Sequence, residues 1–101
     1  MLKNFRTYQL AVKFFQACKK QKLPAFLQDQ LLRASSSVAL NLAEGAGKRT
    51  LKDKGKFYYQ ALGSLNECQA VFDLHGVDSS TRKLSQFLGA SICKLCRSTG
   101  P

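Results

Sequence analysis

The sequence predicts an all-α fold, an antiparallel up-down four-helix bundle, and three observations predict it. Apolar residues recur at spacings of three and four, with no run of the strict alternation that marks a half-buried strand. The seven glycines and two prolines are too few for a β-sandwich with many turns. Four helical stretches, about residues 4–22, 25–45, 51–75 and 79–97, are joined by short connections. At 101 residues, 45% of them hydrophobic, the chain has room for one core, so residues 1–101 read as a single domain.

The first helix carries a polar stripe of Arg6, Gln9, Lys13, Gln16 and Lys20. Phe5, Tyr8, Leu10, Ala11, Val12, Phe14, Phe15, Ala17 and Cys18 fill most of the remaining circumference. One core face needs an arc of only about 100°, so the excess implies a deep seat in the bundle and a contact with another subunit. Leu23-Pro24 ends the helix, because proline cannot continue the hydrogen-bond ladder. In the second helix Leu27, Leu31, Ala34, Val38 and Leu42 form a core stripe, with small Ser35, Ser36, Ala39 and Ala43 allowing close approach. Asn41, at the stripe's edge, reads as a helix-to-helix hydrogen bond.

Gly45-Ala46-Gly47 reads as a stop in which glycine takes the left-handed cap conformation. Thr50-Leu51-Lys52-Asp53 then resembles a capping box and starts a third helix, whose first turns Gly55 weakens. Tyr58, Ala61, Leu65, Cys68 and Phe72 give that helix a heptad-like seam that Gly76 closes. Asp78 or Ser79 can cap a fourth helix, with Leu84, Phe87, Leu88, Ile92 and Leu95 as its apolar side and a frayed end from Ser98.

Residues suited to catalysis are sparse. Gly45-x-Gly47 follows no strand and precedes no Walker lysine. His75 has no carboxylate partner in evidence, and the six acids are scattered. Cys93-x-x-Cys96 lacks the second close pair of a zinc site, since Cys18 and Cys68 stand alone. The expectation is no enzymatic activity, no cofactor and no metal. The start of the chain has no apolar leader and no stretch is long and apolar enough to span a membrane, so a cytoplasmic protein with reduced thiols and no membrane partner is expected.

Charge is the strongest functional signal. Sixteen Lys+Arg against six Asp+Glu give +10, and the cations cluster. Such a surface favours polyanions, because each phosphate neutralised releases a counterion. The candidate nucleic-acid contacts are Lys13, Lys20, Arg33, Lys48, Arg49, Lys52, Lys54 and Lys56, the last five in the glycine-bearing turn before and into the third helix. No sequence-reading motif is present, so binding to RNA or DNA would rest on charge and shape. The competing reading is a protein-interaction scaffold in which the basic surface meets an acidic protein.

One segment carries a family resemblance. Gln30, Arg33-Ala34, Ser37-Val38, Asn41-Leu42-Ala43-Glu44-Gly45, Gly47-Lys48-Arg49, Phe57, Ala61, Gly63-Ser64 and Glu67 stand in the order and spacing of a known four-helix family. In these residues the chain resembles the proteins named for intervening sequences in 23S rRNA genes, a family that includes accessory proteins of diversity-generating retroelements. The resemblance spans roughly residues 5–75; the fourth helix matches only in character. It implies an up-down bundle assembling as a homo-oligomer, a pentameric barrel with a basic surface. Retroelement members bind RNA or DNA and the cognate reverse transcriptase, and no catalytic residues carry over. The chain departs from the pattern in a shorter connection after Pro24, in Leu40 for a small residue, and in Lys48 for arginine.

Overall fold

A computed structural model describes residues 2–100. A single 3-10 turn, Leu2–Asn4, precedes four α-helices: α1 (Arg6–Lys19), α2 (Ala25–Ala46), α3 (Leu51–His75) and α4 (Ser79–Ser98). No strand occurs among the described residues. The first helix is shorter than its pattern suggests at both ends, because Phe5 is extended and the chain leaves the helix at Lys20. The other three begin and end within a residue or so of expectation.

Each helix packs on the next in the chain, and α1 also packs on α4, which closes the ring of neighbours. The core runs down the middle. Ala11, Phe14 and Cys18 of α1 meet Leu31, Val38 and Leu42 of α2, Leu65 and Phe72 of α3, and Leu88 and Ile92 of α4, all essentially inaccessible. Phe14 and Phe72 stack edge to face, with centroids 6.1 Å apart and planes at 79°. Burying each such ring contributes about 1.5–3 kcal/mol, before the extra term from its geometry. Tyr58, Ala61, Leu65, Cys68 and Phe72 form the buried seam their spacing predicts.

Helix ends are held by specific side chains. Thr50 accepts the Asp53 amide at 3.1 Å and caps α3. Asp78 accepts the Thr81 amide at 2.9 Å and caps α4. Gly76, at φ +97°, supplies the left-handed turn after α3.

Four expectations need correction. Gly45 does not stop α2; it lies buried inside it, where a Cβ would sit 2.6 Å from Tyr58 Cε1. The stop comes at Gly47, in right-handed geometry at φ −84°, so no left-handed cap is used there. Gly55 is likewise a packing glycine, its missing Cβ making room for Thr99 Oγ1 at 2.7 Å. That same contact corrects the frayed end: Ser98 is helical and Thr99 is buried, donating to the Cys96 carbonyl at 2.9 Å, while Pro101 lies outside the described residues. Phe87 is not core, being 69% exposed.

Two further readings are refined. Much of the wide apolar arc of α1 is spent within the chain, since Phe5, Tyr8 and Leu10 pack against the core, while Val12 stays exposed. Asn41 donates to Ser37 on its own helix, to the carbonyl at 2.9 Å and the hydroxyl at 3.0 Å. The Ser37 hydroxyl, 2.9 Å from that of Ser64, carries the link across to α3.

Candidate nucleic-acid interface

The eight predicted cations separate into a turn, a groove and one isolated residue. In the turn, α2 ends at Ala46 and α3 begins at Leu51, so Lys48 to Lys56 are brought together by a four-residue connection and the first turns of α3. Two of these side chains face inward to the protein. Lys54 Nζ donates to the carbonyls of Ala46 at 3.1 Å and Gly45 at 3.4 Å. A cation there satisfies carbonyls that have no intrahelical partner and complements the negative end of the helix dipole. Lys48 Nζ pairs with Glu44 at 3.1 Å and lies 5.1 Å from the centre of the Phe57 ring. Arg49, Lys52 and Lys56 are exposed.

Only two ion pairs form among the described residues, Lys48–Glu44 and Arg82–Asp73. Arg49, Lys52 and Lys56 therefore present charge that no carboxylate of the fold offsets at contact distance. Arg33 stands on the exposed side of α2, about 18 Å along the helix from Gly45 at 1.5 Å per residue. It does not join the turn.

The groove lies beside the other end of α3, where Arg82 of α4 reaches Asp73 at 3.1 Å. It runs between the last turns of α1 and the first turns of α4 and encloses about 740 Å³. Lys13, Lys20, Lys22 and Lys83 line it together with Leu84 and Phe87. Asp78 is the acid in its wall, and its oxygens are occupied. Ser80 Oγ donates to it at 2.6 Å, the Thr81 amide at 2.9 Å, and Gln21 Nε2 at 2.9 Å. Those donors hold the carboxyl well below the usual carboxylate range, the Ser80 hydroxyl contributing most. The Gln21 contact also ties the end of α1 to the start of α4 and so shapes the groove.

Sequence reasoning found Lys13 and Lys20 but missed Lys22, Lys83 and Phe87. The signal was present. Lys83, Phe87 and Lys94 recur at spacings of four and seven, which places Phe87 on the cationic side of α4 rather than with Leu84, Leu88 and Ile92.

The cysteines are free and mostly sequestered. Burial pushes the Cys18 thiol up to about 12 and raises Cys68 and Cys96 as well, which leaves these sulfurs poor nucleophiles. No three His, Cys, Asp or Glu side chains come together to hold a metal among the described residues. No helix is long and apolar enough to cross a membrane.

A sequence model of one protein family, described as 23S rRNA-intervening sequence protein, matches residues 3–91. The chain belongs to that family. The match reaches well into α4, beyond the Arg33–Glu67 segment that carries the most specific residues. Phe87 and Lys83 thus lie inside the matched region along with the turn. No curated protein matches the chain.

Proposed function

We propose that this member of the 23S rRNA-intervening sequence protein family is a non-enzymatic, homo-oligomeric bundle that binds nucleic acid, RNA or DNA, through charge and shape. The observation that carries the reading is the exposure of Arg49, Lys52 and Lys56 at one end of α3 and the lining of the groove at its other end by Lys13, Lys20, Lys22 and Lys83, against two ion pairs among the described residues. Cations left without carboxylate partners bind phosphate by releasing counterions, a sequence-independent term. The working compartment is the cytoplasm, where the four cysteines remain thiols.

The proposed arrangement is up-down and antiparallel. Its support is which ends meet: Gly45 near the end of α2 with Tyr58 near the start of α3, Gln21 after α1 with Asp78 before α4, and Gly55 near the start of α3 with Thr99 after α4. The proposed assembly is a pentamer. Apolar side chains not spent inside the chain support self-association: Phe26, Leu40 and Leu74 are 73%, 68% and 76% exposed. The same exposed apolar residues favour a second reading, an accessory subunit that docks on a protein such as a reverse transcriptase.

Filter binding to structured RNA and duplex DNA at low ionic strength tests the first reading. Salt-sensitive retention is expected, and no affinity for either nucleic acid rejects it. Light scattering at tens of micromolar tests the assembly, which a monomer contradicts. A stoichiometric protein partner that survives nuclease treatment on co-purification favours the second reading.

A further inference from the structure

Phe87 is a large aromatic ring, 69% exposed, on a helix whose Leu88 and Ile92 are fully buried. Its surroundings are unusual for an exposed phenylalanine. It lines the groove between α1 and α4 together with four lysines, and the acid in the wall, Asp78, has its oxygens taken up by Ser80, Thr81 and Gln21. The groove therefore offers one flat apolar surface among four lysines, none of them in an ion pair with a carboxylate among the described residues, which outnumber the one acid in its wall.

Several ligand chemistries can be compared against that arrangement. A compact anion would use the lysines and leave the ring idle. An amphipathic partner helix needs apolar anchors at successive turns, and the groove supplies one aromatic with Leu84 and Ala17 as the other apolar lining. A nucleic-acid duplex can reach the lysines with its phosphates, but its bases are stacked on each other and cannot reach the ring. An unpaired nucleotide uses both features at once, its base against the ring and its flanking phosphates on the ammonium groups. Its size also fits, since sites for molecules of this kind enclose about 300–1,000 Å³ and this groove encloses about 740 Å³.

We propose that the α1–α4 groove is a binding site for an unpaired nucleotide of single-stranded RNA, with the base stacked on Phe87 and the neighbouring phosphates held by Lys13, Lys20 and Lys83. This rests on the reading of the chain as a nucleic-acid-binding protein and divides its labour. The turn between α2 and α3 contacts backbone of any strand, whereas the groove selects strands whose bases are free.

The test compares a uridine-rich single-stranded RNA 12-mer with a blunt RNA duplex of the same length, by fluorescence anisotropy at low salt, for the wild type and Phe87→Ala. Phe87 is exposed, so the variant should keep its helical circular dichroism. Stacking of one base predicts about tenfold weaker single-strand binding with duplex binding changed less than about twofold. Equal effects on both RNAs, or none on either, overturn the inference and leave the broader reading standing. A wild type that holds neither RNA, nor single- or double-stranded DNA, overturns both. A second variant gives a direct signal, because the chain has no tryptophan. Phe87→Trp should bind the single strand like the wild type and lose fluorescence on adding it, but not on adding the duplex. Fluorescence that the single strand leaves unchanged also overturns the inference.

Discussion

At the connection between α2 and α3 the chain turns part of its positive charge back on itself. Lys54 closes the end of α2 through the Gly45 and Ala46 carbonyls, and Lys48 is held by Glu44 and the Phe57 ring. In the α1–α4 groove the roles are reversed. There the acid, Asp78, is the group engaged by the helix end it caps, and the lysines around it form no ion pair among the described residues. The two regions look alike in a count of charges and differ in which charges are left over. The partners of each side chain, not its sign, separate cations that hold helix ends from cations open to a ligand.

The largest expected loss of stability tests the turn's packing. Adding a methyl at Gly45 drives it into Tyr58. Overpacking of a filled site costs about 1–3 kcal/mol, and the better helix propensity of alanine returns up to about 1 kcal/mol. Gly45→Ala should therefore lower stability by about 1–2 kcal/mol in urea denaturation. An unchanged or raised midpoint would show that the α2–α3 approach is looser than described.

The groove end is tested by Asp78→Ala, which removes the cap of α4 together with the Gln21 tie. A lost cap costs about 1 kcal/mol. The carboxyl is also depressed by its donors, so its stabilisation is present above the unfolded carboxylate value of about 3.9 and fades as pH falls below it. The stability gap between wild type and Asp78→Asn should accordingly narrow as pH is taken below about 4. A gap that widens in acid would contradict the assignment.

The smallest effect has the opposite sign. Gly63, midway along α3, has nothing within 4 Å of where a Cβ would stand. Gly63→Ala should raise the thermal midpoint, by the equivalent of about 0.5–1 kcal/mol. A loss of stability there would mean that the position is not open.

Much of the fold was legible in sequence because the helices are amphipathic and separately punctuated. The α3 seam, the Thr50 cap and the Gly76 turn follow from local spacing and backbone preference. What local reasoning missed was set by neighbours distant in sequence. Gly45 reads as a stop until Tyr58 is seen against it, and Gly55 as a weak spot until Thr99 is. The candidate site was half legible. Clustering of Lys48 to Lys56 is visible along the chain, but Lys54 is committed to α2 by a contact formed only when α2 and α3 pack. The groove joins residues 13–22 to residues 78–87 and has no local signature, apart from the register that sets Phe87 with Lys83.

The most direct measurement compares two neutralised proteins in RNA-binding titrations across salt, alongside their thermal unfolding. One carries Arg49→Gln, Lys52→Gln and Lys56→Gln, and the other Lys48→Gln and Lys54→Gln. Each phosphate contact contributes about 0.7–0.9 to the slope of log affinity against log salt. The triple variant should lose about 2–3 from that slope with its melting temperature kept. The double variant should lose stability of about 1–2 kcal/mol and keep most of its slope. The reverse pattern, binding lost in the double variant and stability lost in the triple, would contradict the division between holding and binding cations.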